Sequence, residues 1–237
     1  RGLAERHPRE DIAAAYQRVL EDVATTYVER WVGRTGVDAI ACAGGVFANV
    51  KLNQRIMEIP GVERVFIFPA MGDGGVGVGA AFALHAELAG LTPEPLPHVY
   101  LGPAYTDREM ETALERSGLS FSRPPDLTRT VVDHLEADRV VARFAGAMEF
   151  GPRALGNRSI LYPARDPSVN KWLNDRLKRT EFMPFAPISL AHKADELYAN
   201  VGKMRHPAEF MTITTDCTNT MKRQSPAAVH VDGTARP

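Results

Sequence analysis

The segment MEFGPRALGNRS at residues 148–159 places two arginines and a carboxylate among residues that restrict the backbone. Its two glycines can take conformations that are closed to other residues, and its proline fixes its own φ. Arg153 and Arg158 present planar forks of donors that suit a carboxylate or a phosphate, and Glu149 can orient one of them. The segment therefore predicts an anion site on a rigid turn. The alternative is an ordinary turn with solvated arginines.

Two more cations, Lys178 and Arg179, stand at the end of an amphipathic stretch that we predict to be helical over 168–179. They precede a second apolar loop that is stiffened by prolines. Together with Arg153 and Arg158 they can converge on one small dianion. The alternative is a solvated helix end, because the helix dipole favours cations in the last turn.

Two glycine turns lie earlier in the chain, Gly44-Gly45 and Gly72-Asp73-Gly74-Gly75. Each follows a short apolar run typical of a strand, at 37–43 and 64–69, and precedes a stretch that favours a helix. Two successive units of this kind predict an α/β layer. Glycines at such junctions let the backbone approach a phosphate, so a nucleotide is the expected ligand. Neither turn matches a standard nucleotide motif, and a packing role is the alternative.

Asp73 stands between glycines at the predicted end of a strand. An exposed, unhindered carboxylate in such a place suits a hard or borderline metal ion. An N-cap of the following helix is the alternative, because Asp fills that position equally well.

The remaining elements frame these segments. Apolar residues recur at three- and four-residue steps near the start of the chain and predict one buried helix face, formed by Ile12, Tyr16, Val19, Leu20, Val23, Tyr27 and Trp31. Residues 93–103 hold four prolines and are interpreted as a linker between domains at 1–92 and 104–237. A capped helix over 106–117, a helix over 127–135 and a buried strand over 139–144 then lead to the arginine segment.

The composition excludes several classes of protein. The 237 residues carry 28 basic and 29 acidic side chains and a net charge of −1, which gives no support for a nucleic-acid or membrane-surface protein. Cys42 and Cys217 form no CxxC pair, so we expect neither a disulfide framework nor a zinc ribbon.

A cytoplasmic protein is the default expectation. Both ends of the sequence look cut, which suggests a piece of a longer protein.

Taken together, these segments resemble the NodU/CmcH-type O-carbamoyltransferases. The resemblance covers almost the whole chain and depends on five segments in the expected order: GGVxxN at 44–49, PAxGDxG at 69–75, EFGPRALGNRS at 149–159, TEFMPFAP at 180–187 and HVDGTAR at 230–236. It implies that residues 1–92 are the C-terminal part of an actin/sugar-kinase-like domain. It also implies that residues 104–237 are an incomplete YrdC-like α/β domain.

The resemblance implies a reaction as well. Carbamoyl phosphate and ATP form a carbamoyl-adenylate in the YrdC-like domain, and the carbamoyl group then passes to a hydroxyl of a small molecule in the kinase-like domain. A bound divalent metal, usually iron, assists, and Asp73 is the expected ligand. The expected phosphate or adenylate ligands are Arg153, Arg158 and Arg179, with Glu149 as a further catalytic residue. The residues expected to line the nucleotide and carbamoyl phosphate sites are Gly44, Gly45, Asn49, Gly72, Gly74, Asn157, Ser159 and Lys178.

The sequence also departs from the family pattern. The family's metal site uses a HxxxH pair on a helix, and none of the seven histidines here has a histidine four residues away. Residue 147 is Ala where many relatives have Arg, and Leu177 replaces the first Lys of a KxR pair that some relatives carry. We therefore expect that this chain alone does not turn over, although it can bind nucleotide or carbamoyl phosphate weakly.

Three other interpretations stay open from the sequence. A hydrogenase-maturation carbamoyltransferase shares both domains but carries zinc-finger and acylphosphatase modules, which are not visible here. An actin-like kinase or ATPase explains the glycine turns but leaves residues 149–159 without a role. A non-catalytic nucleotide-binding module fits the missing HxxxH pair. The sequence identifies no acceptor, and it is compatible with a homodimer.

Overall fold

The computed structural model describes residues 2–90, 92, 94–178 and 185–237, and within them it is a mixed α/β structure. The helices are α1 Arg9–Thr35, α2 Val50–Met57, α3 Val76–Ala89, α4 Asp107–Arg116, α5 Leu127–Glu136, α6 Val169–Arg176, α7 Ala194–Leu197, α8 Val201–Ala208 and α9 Asn219–Gln224. The strands are β1 Ala39–Cys42, β2 Arg64–Ile67, β3 Val141–Phe144, β4 Arg158–Leu161, β5 Thr215–Asp216 and β6 Thr234–Ala235. Among the described helices, none combines the length and the apolar character needed to cross a membrane.

The two predicted strand-turn-helix units are confirmed. Strands β1 and β2 pair in parallel, with Ala39 opposite Arg64 and Cys42 opposite Ile67, and α2 forms the crossover between them. The predicted helix over 46–58 is divided: a short 3-10 helix at Gly45–Ala48 precedes α2, which begins after Asn49. Because parallel strands end at the same edge of a sheet, the two glycine turns emerge side by side.

The core around this sheet includes residues from both sides of the predicted domain boundary. Met204 and Ile213, from the C-terminal part of the chain, are buried among residues of β1, α2 and β2. The buried amide of Asn53 donates to the carbonyls of Phe47 and Thr212, at 2.8 and 2.7 Å. The segment around α8 is therefore part of the packing that holds the first sheet.

The buried face of α1 differs from the prediction. Leu20, Ala24, Val28 and Val32 pack against the core. Tyr16 and Tyr27 were expected in the core but are 68% and 64% exposed, and Val19, Val23 and Trp31 are also exposed. Apolar residues occupy more than one face of this helix, and only the stripe at four-residue steps meets α2. The pattern therefore identified the helix and Leu20 of its buried side, but not the rest of that side.

The middle of the chain follows the predicted order of elements. Thr106 and Glu109 form a capping box at the start of α4, as expected. Strands β3 and β4 form an antiparallel pair, with Phe144 opposite Arg158. Strand β4 was not predicted, and β3 is largely exposed rather than buried. The arginine segment therefore joins two strands of a solvent-facing hairpin.

The end of the predicted linker is part of the packed structure. Val99 is 1% exposed, and its carbonyl accepts a hydrogen bond from the backbone N–H of Phe150 at 2.6 Å. The N–H of Gly102 donates to the carbonyl of Met148 at 2.9 Å, and the N–H of Met148 donates to that of Pro103 at 3.0 Å. Residues 99–103 thus lie alongside the start of the arginine segment and fix where it begins.

Candidate functional site

Residues 149–158 form a loop that closes around the carboxylate of Glu149. One oxygen of this carboxylate accepts hydrogen bonds from the backbone N–H groups of Leu155, Asn157 and Arg158, at 2.8, 2.8 and 3.2 Å. The residue is 7% exposed. Burial raises the pKa of the Glu149 carboxyl, but these backbone hydrogen bonds outweigh burial and hold it below its usual value. Glu149 therefore orients the loop backbone and not, as expected, an arginine side chain.

The guanidinium of Arg158 is occupied by the backbone of the same region. Its Nη1 donates to the carbonyl of Ala145 at 2.6 Å, and its Nη2 donates to the carbonyls of Pro103 and Gly146, both at 3.2 Å. It also stacks on the Phe144 ring, 3.7 Å from the ring centroid. Arg158 thus joins the end of the linker to the turn that precedes the loop.

Asn157 and Ser159 also serve the loop. The side-chain amide of Asn157 donates to the carbonyl of Ala147 at 2.8 Å. The hydroxyl of Ser159 accepts from the N–H of Gly156 at 2.9 Å. Both side chains therefore satisfy backbone groups close to them in the chain. Hydrogen bonds within the loop therefore help to hold its backbone in shape.

The tip of the loop packs against the first part of the chain. The rings of Phe150 and Phe68 meet edge to face at 6.0 Å. A Cβ atom at Gly151, where φ is +102°, would lie 3.0 Å from the carbonyl oxygen of Pro69, so only glycine allows this approach. The chain leading to the Asp73 turn is therefore in direct contact with the arginine loop.

Arg153 extends from the tip of the arginine loop towards the Gly44-Gly45 turn. Its Nη2 lies 3.4 Å from the carbonyl oxygen of Ala48, in the 3-10 helix that starts at Gly45. Its Nε is buried and has no hydrogen-bond partner among the described residues. Burial also lowers the pKa of Arg153. An unpaired buried donor costs roughly 1–3 kcal/mol, so this geometry calls for an explanation.

The glycine turns are close to each other and open. The N–H of Gly44 donates to the carbonyl of Met71 at 2.7 Å, which joins the two turns. A Cβ added at Gly44, Gly45, Gly72 or Gly74 would meet nothing within 4 Å in the described structure. Gly75 differs, because its Cβ would lie 2.2 Å from the carbonyl of Ala70. Packing therefore explains Gly75 but not the other four glycines.

Asn49 has a structural partner that the sequence did not indicate. Its side-chain oxygen accepts from the N–H of Leu52 at 3.0 Å, which caps α2. Its amide nitrogen donates to the Gln17 side chain of α1 at 2.7 Å. Asn49 thus fixes α1 and α2 relative to the first glycine turn. Gln17 gave no signal in the sequence, because a polar residue in an amphipathic helix is usually solvated.

Asp73 is exposed at the start of the short 3-10 helix Asp73–Gly75. Within the described ranges, no group of three or more His, Cys, Asp or Glu side chains is placed to hold a metal ion. The described His, Cys, Asp and Glu residues therefore do not form a metal site with Asp73 by themselves. Asp73 stays a predicted metal ligand.

The second pair of predicted cations is only partly described. Lys178 is exposed and follows α6 in a left-handed conformation, with φ of 53°. In the part of the chain that is described, its side chain makes no hydrogen bond or ion pair with the arginine loop. Arg179 lies outside the described residues. Convergence of these cations with Arg153 therefore stays a prediction.

Several residues of the site were missed from the sequence. Phe68 and Phe150 form the ring contact between the two parts, and Phe144 supports Arg158. The hydroxyl of Tyr100 donates to the carbonyl of Leu155 at 2.8 Å. Phe150 lies inside the arginine segment and Phe68 precedes a glycine turn, but spacing alone does not pair residues so far apart.

Two parts of the chain match models of one protein family. Residues 2–82 match the model described as Carbamoyltransferase N-terminus, and residues 132–237 match the model described as Carbamoyltransferase C-terminus. The glycine turns lie in the first match and the arginine loop lies in the second. The contact between the turns and the loop is therefore a contact between the two matched regions.

Several known proteins are similar to this chain over nearly its whole length. An uncharacterised protein of Methanocaldococcus jannaschii is 36% identical over 96% of this chain and 38% of its own length. Nodulation protein NolNO of Sinorhizobium fredii is 33% identical over 100% of this chain and 35% of its own length. Nodulation protein U of Bradyrhizobium diazoefficiens is 30% identical over 96% of this chain and 38% of its own length. The chain thus spans less than half the length of these relatives.

Proposed function

Because the chain belongs to the carbamoyltransferase family, we propose that it takes part in carbamoyl transfer to a hydroxyl group of a small-molecule acceptor. The donor is carbamoyl phosphate, which water cleaves to carbamate and inorganic phosphate. A carbamate oxygen then attacks the α-phosphorus of ATP, the bond from that phosphorus to the pyrophosphate breaks, and carbamoyl-adenylate and pyrophosphate form. The acceptor oxygen then attacks the carbamoyl carbon, the bond from that carbon to the phosphate oxygen breaks, and AMP leaves. The hydroxyl proton passes to solvent or to a base.

In this proposal the chain contributes to two domains. Residues 1–92 are the end of an actin/sugar-kinase-like domain, and the parallel unit β1–α2–β2 with its glycine turns supports this assignment. Residues 104–237 belong to a YrdC-like domain. The separate matches at 2–82 and 132–237 are consistent with a division between them.

The observation that carries the proposal is the meeting of three loops at one edge of the β1–β2 sheet. The turns after β1 and β2 are joined through Gly44 and Met71, and the arginine loop contacts both through Arg153 and Gly151. Open glycine turns next to a cation form the kind of site that accepts a phosphate. A kinase-like turn alone would not require the arginine loop.

The residues have different roles in this site. Gly44, Gly45, Gly72 and Gly74 leave room for the nucleotide to approach the backbone. Arg153 supplies positive charge where phosphate charge grows as AMP leaves, and Lys178 and Arg179 are proposed to add to it. Glu149, Asn157, Arg158 and Ser159 hold the loop in shape, so that this charge is in place before the ligand binds.

Isotope tracing tests the proposal. Carbamoyl phosphate labelled with ¹⁴C is incubated with ATP and a panel of hydroxyl acceptors, once with this chain and once with the whole product of its gene. We expect the whole gene product to form labelled carbamoyl-adenylate and then a labelled acceptor. We expect this chain to bind ATP and carbamoyl phosphate. Transfer of the γ-phosphoryl group of ATP instead would identify a kinase, and binding without any product would identify a non-catalytic module.

A further inference from the structure

Arg153 and Arg158 lie in one loop, but their guanidinium groups differ in the number of hydrogen bonds that they donate. Arg158 donates to backbone carbonyls of residues 103, 145, 146 and 157 and stacks on Phe144. Arg153 makes one long hydrogen bond, 3.4 Å, to the carbonyl of Ala48, and its Nε has no partner among the described residues. The Nη groups of Arg158 are already used, whereas those of Arg153 make only this one bond among the described residues.

Among the residues that the structure describes, Arg153 also has no neutralising charge. None of the ion pairs in the described structure includes it, although its guanidinium is partly buried. A partly desolvated cation without a counter-charge is unfavourable, and an anionic ligand beside it would remove that cost. The two Nη groups of a guanidinium can together give two parallel hydrogen bonds to a phosphate.

The position of Arg153 determines which ligand it can reach. Its partner Ala48 ends the short 3-10 helix that starts at Gly45, and the loop that carries Arg153 is fixed by Gly151 against Pro69. Arg153 thus comes from the second matched region of the chain but lies against the turns of the first. Its guanidinium is placed at the predicted nucleotide turn of the other region.

We propose that Arg153 binds the phosphate of an adenine nucleotide held at the glycine turns of the first region, so that one ligand bridges the two regions. Arg158 is a positioning residue that holds the loop and does not contact the ligand. This inference rests on the proposed function and deepens it. Arg153 then serves the transfer step, in which AMP leaves, and not only the activation of carbamoyl phosphate.

The test combines ligand binding with hydrogen exchange. AMP, ATP and carbamoyl phosphate are titrated into wild type, Arg153→Ala, Arg153→Lys, Arg158→Lys and a control, Arg165→Ala. Arg165 is an exposed arginine paired with Asp138, at 2.7 Å, away from the turns. Exchange is followed in peptides that cover residues 44–49 and 149–158, with and without AMP.

We expect AMP to protect both peptides in wild type. Arg153→Ala should weaken AMP binding by about tenfold or more and remove the added protection at 44–49, because hydrogen bonds to a charged group are lost. Arg153→Lys should keep part of the affinity, since it keeps the charge without the fork. Arg158→Lys should lower Tm and speed exchange in the loop even without AMP, which separates positioning from binding. Arg165→Ala should match wild type.

Two results would count against different claims. If wild type binds AMP and Arg153→Ala binds it equally well at unchanged Tm, the bridging role of Arg153 is wrong while the proposed function stands. The same holds if the variant loses affinity for carbamoyl phosphate alone and keeps AMP protection at 44–49. If wild type binds none of AMP, ATP and carbamoyl phosphate, the proposed function of this chain fails, and the bridging ligand fails with it.

Discussion

The Nζ of Lys51 lies 3.0 Å from a carboxylate oxygen of Asp232, so an ion pair joins α2 to the turn before β6. The other oxygen of Asp232 accepts from the N–H and the hydroxyl of Thr234, at 3.1 and 2.7 Å. Asp232 thus fixes its own turn and ties it to the helix that follows the first glycine turn. The HVDGTAR segment, like the arginine loop, connects the two regions of the chain.

Substitutions of Asp232 separate the contribution of its ion pair with Lys51 from that of its hydrogen bonds with Thr234. Asp232→Asn keeps an oxygen for Thr234 but loses the charge, and we expect a loss of about 0.5–1 kcal/mol, because a partly exposed pair is screened by solvent. Asp232→Ala also removes the hydrogen bonds to Thr234, which should cost about 1 kcal/mol more. Urea unfolding at pH 7 measures both variants, and equal stability of the two would contradict the role of the turn.

The pH dependence of this ion pair has a defined sign. Burial raises the pKa of Asp232, but hydrogen bonds from Thr234 and Lys51 outweigh it and hold the pKa below its usual value of 3.8. The stabilisation is therefore fully present above that value and is lost as the pH falls through the folded pKa. The stability difference between wild type and Asp232→Asn should shrink as the pH is lowered from 5 to 2.5. A difference that grows in this range would show that the carboxylate is not stabilised in the fold.

Glu149 should be the most sensitive position of the arginine loop. Glu149→Ala leaves three backbone N–H groups without their acceptor, and we expect a loss of about 2–4 kcal/mol, since each buried unpaired donor is costly. Glu149→Gln keeps one acceptor oxygen without the charge and should lose about half as much. Urea unfolding gives the magnitudes, and hydrogen exchange at residues 155, 157 and 158 shows whether the loss is local. If the two variants unfold alike, the charge of the carboxylate has no part in holding the loop.

Alanine substitutions distinguish a glycine that packing requires, Gly151, from a glycine with open space around it, Gly45. Gly151→Ala places a Cβ 3.0 Å from the carbonyl of Pro69 at a φ of +102°, so we expect a loss of about 1–3 kcal/mol. Gly45→Ala meets nothing within 4 Å in the described structure and should be as stable as wild type or slightly more stable. If the turn binds nucleotide, Gly45→Ala should nevertheless weaken ATP binding in calorimetry. Unchanged ATP affinity would show that the open space at Gly45 is not needed for nucleotide binding.

The sequence predicted local structure well where the signal is local. The capping box at Thr106 and Glu109, the two strand-turn-helix units and the glycine turns were all predicted from neighbouring residues. The predicted buried side of α1 was right at Leu20 and wrong at the exposed residues Tyr16, Val19, Val23, Tyr27 and Trp31, because apolar residues lie on more than one face and only tertiary packing selects between them. Strand β4 was not predicted, because its sequence RSIL shows no alternation of polar and apolar residues.

The site was predictable as a set of segments but not as a geometry. The residue types of Glu149 and the two arginines indicated an anion site, yet the sequence could not show that Glu149 binds backbone N–H groups or that Arg158 is occupied by carbonyls. These contacts depend on how the loop folds back on itself. The approach of Gly151 to Pro69 depends on packing between residues far apart in the chain, for which a single sequence carries no signal.

Both cysteines should be unreactive in the folded protein. Cys42 and Cys217 are 5% and 6% exposed. Burial raises the pKa of the Cys42 thiol to about 11 and that of Cys217 to about 11. Because the thiolate is the reactive form, we expect no reaction with Ellman's reagent at pH 8 in buffer and two equivalents in guanidinium chloride. Rapid modification of one thiol in buffer would show that its burial is not maintained.

Ile213 tests whether the C-terminal part of the chain stabilises the first sheet. It is fully buried among residues of β1, α2 and β2, so Ile213→Ala should cost about 2–4 kcal/mol through lost contacts and a cavity. Ile188, which is 76% exposed, provides a matched control, and its substitution by alanine should change stability by less than about 0.5 kcal/mol. Hydrogen exchange should show that Ile213→Ala lowers protection at residues 39–42 and 64–67. If the loss were confined to residues near 213 in sequence, the two regions would fold independently, and Arg153 would lie at a docking contact and not within one cooperative unit.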